Sequence, residues 1–470
     1  MLFNSLAFLF LYLPVVLAGY FWLARWGGEA HILWLALASL FFYGWWDVHF
    51  LPLLLASILF NHYAARMVAS KAWLAFAVGV DLALLAAFKY ADFLTGAHWD
   101  IALPVGISFF TFTQIAYLVD CHRRQAQPAP LTQYTLFVSY FPHLIAGPVL
   151  HHGEMMPQFA QAESGRPHAA SFAIGLTVFV IGLAKKTLIA DQLAPLAGPV
   201  FAAGGHPQWI EAWIGVLAYT FQLYFDFSGY SDMAIGLGRM MGFRFPENFN
   251  RPYISRSVTE FWRRWHISLS SWMRLYLYIP LGGNRVSTAR MYANLWIVFV
   301  VSGIWHGASW TFLVWGMYYG CFLCIERALS ASRLARVRLP DLLRWVITML
   351  IVMVGWVFFR APDLDHALHY LAAMFGLSAA SQGAVMPWGL VFGNRELAVM
   401  LSGVLLACLP LPELANVRLP AVFKAPWCAA MTLDGTAALS WQFAATLALT
   451  VVSAAALASA DYVPFLYFRF

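Results

Sequence analysis

Apolar runs long enough to cross a bilayer recur along almost the whole chain, separated by short polar breaks. A crossing helix needs about 20 predominantly apolar residues, so the pattern predicts about 11 or 12 helices, some of them short or re-entrant. Residues 6–94 read as closely spaced helices joined by tight turns such as Gly27-Gly28. The first run, Leu6 to Trp26, lacks a basic leader and a small-residue cleavage site, and is expected to be a retained span. Asp47, after the aromatic cluster 41–46, marks a water interface. Plain runs follow at 171–190, 209–242, 291–305, 309–328, 341–360, 397–411 and 437–459, and the aromatic tail 461–470 reads as interfacial. No internal repeat and no independent soluble domain is visible, so residues 1–470 are expected to form one all-α integral membrane domain.

Several segments break the pattern. Leu103-Pro-Val-Gly-Ile-Ser-Phe-Phe-Thr-Phe-Thr-Gln114 is apolar but interrupted by Pro104 and Gly106 and dotted with hydroxyls. It suits a broken or re-entrant helix lining a cavity, or an ordinary kinked span. Tyr140-Phe-Pro-His-Leu-Ile-Ala-Gly-Pro148 repeats this character, and residues 157–170 read as an exposed loop. Asp226 and Asp232 sit inside the run 209–242, where a carboxylate is costly unless it faces the protein interior; the sequence names no partner for either. Residues 244–290 carry ten charged side chains interleaved with Trp262, Trp265, Trp272, Tyr276 and Tyr278. That mixture is too polar for a simple span and predicts interfacial or re-entrant helices lying at the headgroups and dipping into the protein. Residues 363–393 are weakly amphipathic and read as a surface excursion.

Composition agrees with lipid as the solvent. The chain is 61% hydrophobic and 11% charged, against about 25% charged residues in a soluble domain. The net charge of +6 would suggest nucleic acid in a soluble protein. Here the basic residues Arg66 and Lys71, Arg123 and Arg124, Lys185 and Lys186, and Arg327 to Arg338 sit between apolar runs, which is the positive-inside pattern, and no nucleic-acid partner is expected. The five cysteines form no framework; Cys321 and Cys324 share a pair's spacing but lie in an apolar helix without companion ligands, where packing is their role.

Two histidines carry the candidate chemistry. His306 lies in Gly303-Ile-Trp-His-Gly307, walled by Trp305, Trp310 and Trp315, with Gly303 and Gly307 permitting close approach of backbone or ligand. A neutral imidazole there can take a proton from a hydroxyl as its oxygen attacks an acyl carbonyl. An equally simple reading is a structural, hydrogen-bonded histidine. His266 lies in Phe261-Trp-Arg-Arg-Trp-His-Ile-Ser268 and can serve as a second base, as a hydrogen-bonding orienter or as an interface residue. Arg263 and Arg264 can meet the phosphates of a nucleotide-bearing donor or lipid headgroups. No phosphate-binding loop, no dinucleotide fingerprint, no Gly-x-Ser-x-Gly elbow and no metal-ligand pair with companion ligands is present; His151-His152 are adjacent and do not share a helix face.

At these residues the chain resembles the membrane-bound O-acyltransferase (MBOAT) family, and within it the bacterial alginate O-acetyltransferase branch with its relatives in cellulose and peptidoglycan acetylation. The matching blocks are Leu103-Pro-Val-Gly-Ile-Ser-Phe-Phe, Tyr140-Phe-Pro-His-Leu-Ile-Ala-Gly-Pro, Tyr224-Phe-Asp-Phe-Ser-Gly-Tyr-Ser-Asp-Met, Asn248-Phe-Asn-Arg-Pro-Tyr, Phe261-Trp-Arg-Arg-Trp-His-Ile-Ser-Leu-Ser and Gly303-Ile-Trp-His-Gly. The resemblance implies a ring of helices around a central funnel and donor tunnel, with His306 catalytic and His266 the second defining position. It further implies acetyl-coenzyme A as acyl donor, met by Arg263, Arg264, Trp262 and Trp305. No permanently bound cofactor and no metal are implied. The setting implied is a bacterial inner membrane, with an exported polysaccharide as final acceptor. The partners implied are a periplasmic acetyltransferase of the SGNH type and the polysaccharide synthesis and export complex. Two readings from other classes compete: a polytopic transporter, which accounts for broken helices and Asp226 but not for two tryptophan-flanked histidines, and a non-catalytic scaffold of a secretion complex, which needs the partner but not His306.

Overall fold

The computed structural model describes residues 1–97, 101–161, 165, 168–202, 207–333, 339–377, 393–408, 436–459 and 465–466. Among these the regular structure is helical, with an isolated antiparallel bridge between Phe249 and Trp265. The fold is all-α, and among the described residues four helices are long and apolar enough to cross a membrane: Lys71–Lys89, Ala169–Ala197, Trp310–Ala331 and Asp341–Arg360. Shorter apolar helices include Phe8–Ala24, Ala30–Trp46, Val48–Ala64, Glu396–Cys408 and Ala444–Ala458. Of the expected excursion over 363–393, the first part holds the helix Leu364–Met374; residues 378–392, Cys428 and most of the tail 461–470 lie outside the described residues.

The chain packs as two units. The first comprises Met1–Leu183, Tyr230–Glu247 and Met431–Arg469. Its centre is aromatic: Phe3, Phe8, Tyr12, Phe42, Phe141 and Tyr230 lie ring against ring. The hydroxyl-dotted segment after Leu103 is one regular helix, Ile107–His122, largely buried as far as Leu118. The break falls just before it, at Gly106, where φ is +76° and a Cβ would run into the Leu144 carbonyl oxygen. The expected loop 157–170 starts later than the polar pattern suggests. His152–Phe159 is helical, and Gln158 ties it to Arg244 by accepting from the backbone N at 2.7 Å and donating to the carbonyl at 3.1 Å. A buried polar network the sequence did not flag joins Asn61 to Asp81 (2.8 Å) and Gln114 to Ser57 (2.8 Å).

The second unit comprises Ala184–Gly229 and Asn248–Ala430, with Phe470. It accounts for Asp226. The helix Ala169–Ala184 continues into a π-helical turn, Lys185–Ala190, and the Lys186 ammonium sits 2.7 Å from both Asp191 and Asp226 while only 1% exposed. An insertion of this kind often marks a polar site inside a helix. Lys186 is therefore an interior counter-ion and not a loop charge of the positive-inside kind. Asp226 lies on the 32-residue helix Trp209–Met240. At 1.5 Å per residue such a helix is about 48 Å long, well beyond a hydrocarbon core of about 30 Å.

Candidate active site

Two antiparallel helices, Thr288–His306 and Trp310–Ala331, form the frame of the site in the second unit. Glycine sets their spacing. A Cβ on Gly303 would strike the Phe312 carbonyl oxygen, and one on Gly316 would strike that of Phe299, so the backbones meet where no side chain fits. His306 is the last residue of the first helix, and the chain turns back through Gly307 and Ser309, whose hydroxyl caps the next helix at Thr311 N (3.3 Å).

The polar stretch supplies the second histidine. Val258–Arg264 is a short helix whose N-terminus is capped twice. Ser257 Oγ accepts from Glu260 N at 3.0 Å, and the Glu326 carboxylate accepts from Thr259 N at 2.9 Å and from its hydroxyl at 2.7 Å. A carboxylate on the exposed N–H groups of a helix start is electrostatically favourable. Trp265 then runs extended beside Phe249: Asn250 N donates to the Arg264 carbonyl at 2.9 Å, and Ile267 N donates to the Asn248 carbonyl at 3.0 Å. His266 follows with φ +46°, a left-handed conformation rare outside glycine, and starts the helix Ile267–Met273.

These elements bring His266 and His306 to the same indole. Trp305 lies 6.3 Å from the His266 ring and 4.9 Å from that of His306, centre to centre. Both histidines are buried, at 1% and 7% exposure. Edge-on rings of Trp315 at 5.0 Å and Phe359 at 5.1 Å wall His306, and the Phe312 ring lies near-parallel to it at 6.5 Å. Phe227 stands edge-on to His266 at 4.8 Å. His266 Nδ1 lies 3.1 Å from Asn248 Oδ1, and that oxygen accepts from Ser268 N at 3.3 Å and Ser268 Oγ at 2.8 Å.

The other expected site residues divide. Trp262 belongs to the cluster, edge-on to Trp315 at 5.6 Å and to Tyr319 at 5.0 Å. Arg264 is committed locally, its guanidinium 2.9 Å from Glu260 and 3.2 Å from the Asn250 carbonyl. Arg263, one residue before it, is exposed. Trp310 is 60% exposed, and Phe359 of the helix Asp341–Arg360 packs edge-on against His306. Asn248, Glu326 and Phe359 were assigned no role from sequence. Asn248 stands in one of the family-like blocks, which was the available signal; Glu326 and Phe359 carry none, because only the fold brings them here. A cavity of about 410 Å³ lined by Met1, Leu2, Ser5, Ala7, Trp45 and Trp46 belongs to the first unit and contains none of these side chains. Among the described residues no group of three or more His, Cys, Asp or Glu side chains converges on a metal position.

The family model for membrane-bound O-acyltransferases matches residues 90–360, which include both histidines and every residue of their wall. The chain belongs to the membrane-bound O-acyltransferase family. Within this family it is closely related to the alginate O-acetylases. It is 49% identical over 400 residues to a probable alginate O-acetylase of Pseudomonas aeruginosa, covering 80% of this chain and 75% of the relative. It is 42% identical over 499 residues to that of Pseudomonas putida, end to end in both chains. A peptidoglycan O-acetyltransferase of Helicobacter pylori is 43% identical over 426 residues, 81% of each chain. As an MBOAT protein the chain is a membrane acyltransferase, and the relatives' names place its close kin on polysaccharides.

Proposed function

We propose that the protein takes acetyl from cytoplasmic acetyl-coenzyme A and passes it across the inner membrane for O-acetylation of an exported polysaccharide of the alginate, cellulose or peptidoglycan type. The single observation that carries the reading is the pair of buried histidines that both meet Trp305, inside the region the family match covers. In this mechanism the acceptor hydroxyl oxygen attacks the acetyl carbonyl carbon while His306 takes the hydroxyl proton. Collapse of the tetrahedral intermediate breaks the carbon–sulfur bond, and His306 returns the proton to the departing thiolate. The apolar wall of Trp305, Trp315 and Phe359 keeps bulk water from competing as acceptor. His266 assists as the second imidazole. Exposed Arg263 is the arginine free to meet donor phosphates; Arg264 supports the short helix that carries it. A periplasmic acetyltransferase receives the acetyl group and works with the polysaccharide synthesis and export complex.

The test uses purified protein, labelled acetyl-coenzyme A and a glycan or partner acceptor. His306→Ala is expected to lower transfer by about 10²- to 10⁴-fold, the usual worth of a positioned acid–base group. His266→Ala is expected to lower it as well. Unchanged transfer in both folded variants defeats the proposal.

A further inference from the structure

We infer that Asn248 is a positioning residue that locks the ring of His266 in one tautomer, with the proton on Nδ1 and the lone pair on Nε2. The inference deepens the acyl-transfer reading above and rests on it for its catalytic meaning, though not for its chemistry.

The argument begins with the amide. An asparagine side chain offers an oxygen that only accepts and a nitrogen that only donates. The backbone N–H of Ser268 is a donor under all conditions and points at the atom of Asn248 that also faces His266. That atom must be the oxygen, so the orientation of the amide is fixed by a neighbour that cannot change its role. The Ser268 hydroxyl, 2.8 Å away, then also donates to it. A carbonyl oxygen 3.1 Å from His266 Nδ1 has only lone pairs to offer. If Nδ1 were unprotonated, two lone pairs would face each other in a buried site. Hence Nδ1 carries the proton, and in the neutral ring Nε2 is the basic nitrogen.

The backbone is built to hold this arrangement. Asn248 and His266 lie on paired segments, with Ile267 N donating to the Asn248 carbonyl and Phe249 bridged to Trp265. The left-handed φ of +46° at His266 turns the chain into the helix Ile267–Met273 and sets Ser268 beside the same amide. Strain at a buried imidazole is tolerated where the surrounding bonds over-determine it. Phe227, edge-on at 4.8 Å, also packs against the ring. His266 is thereby presented as an acceptor of a proton or hydrogen bond through Nε2, in the manner of an imidazole oriented by a polar partner on its far nitrogen.

The test reads the tautomer directly. Histidine labelled with ¹⁵N in both ring positions is incorporated in the full chain, and the His266 signals are identified by their loss in His266→Gln. In the wild type the shifts should report a protonated Nδ1 and a bare Nε2. In Asn248→Ala that preference should be lost, with kcat down by about 10- to 100-fold and the KM for acetyl-coenzyme A changed by less than about threefold. Asn248→Asp retains an acceptor oxygen and should restore both the shifts and most of kcat. Ser268→Ala removes the hydroxyl contact to the same oxygen but leaves the backbone N–H and the imidazole bond, and should keep the wild-type tautomer. The inference is overturned if the wild type carries its proton on Nε2, or if Asn248→Ala retains both the Nδ1-protonated form and wild-type kcat. Failure of the acyl-transfer reading shows separately: His266→Gln would keep full activity while the tautomer result stands unaffected.

Discussion

Around His306 the tryptophans are not equivalent. Trp315 is 1% exposed and meets Trp262, Tyr319, Phe359 and the His306 ring through edge-on or tilted contacts. Each such contact constrains the imidazole by shape more than by strength, since a pair of aromatic rings is worth only about 0.5–1.5 kcal/mol beyond its buried area. Removing the indole opens space beside a base whose usefulness depends on position, and a displacement of about 1 Å can cost on the order of 100-fold in rate. Trp315→Ala is accordingly expected to lower kcat by about that factor in a protein that still folds. Trp310→Ala should stay within about twofold of wild type, as is usual for exposed positions. Equal effects of the two substitutions in a labelled acetyl-transfer assay would show that His306 takes no support from this wall. From sequence alone the two tryptophans look alike, because both fall within a few residues of His306; which side of the helix faces the imidazole follows from its packing against Thr288–His306 and Asp341–Arg360.

The helices that carry the site are held at a separation only glycine allows. Alanine at Gly316 would place its Cβ against the Phe299 carbonyl and the Val300 Cα, both backbone atoms that cannot swing away. Overpacking of this kind costs about 1–3 kcal/mol. We predict that Gly316→Ala lowers the thermal midpoint of the detergent-solubilised protein and lowers activity with it. Gly79→Ala, in a helix where no atom lies within 4 Å of the new Cβ, should be neutral or slightly stabilising. A Gly316→Ala protein that melts like wild type would refute the glycine-spacing account. The existence of these helices was legible: the runs at 291–305 and 309–328 are the helices Thr288–His306 and Trp310–Ala331 within a few residues. The polar stretch 244–290 was also legible as something other than a span, and it is a set of short helices, Val258–Arg264 and Ile267–Met273 among them. What the pattern could not give was pairing at a distance. Glu326 capping a helix that starts at Val258, Asn248 reaching His266, and Lys186 answering Asp226 are all contacts between segments whose local sequence is silent about the other.

At the scale of the whole molecule, the proposed chemistry requires that the two substrates arrive from opposite faces of a bilayer. The chain carries a net charge of +6. Its basic residues concentrate in the breaks between apolar runs, and with Lys186 withdrawn into an interior ion pair the bias rests on Arg66 and Lys71, Arg123 and Arg124, Lys185, and the segment from Arg327 to Arg338. Basic segments of this kind stay on the cytoplasmic side, where acetyl-coenzyme A is found and where its phosphates cannot cross the hydrocarbon unaided. A transporter of intact donor and an acyl-handover enzyme therefore predict different locations for the two halves of the thioester. With the protein in sealed vesicles, acetyl-coenzyme A labelled separately in its acetyl and coenzyme A portions is supplied to the face that carries the basic loops. A glycan with its periplasmic acetyltransferase is placed on the other face. Handover predicts that free coenzyme A stays on the donor side while acetyl esters accumulate on the acceptor side, in amounts that fall together in His306→Ala. Coenzyme A crossing with the acetyl group would favour transport. Ester formed only on the donor face would leave the enzyme intact and remove the transmembrane step.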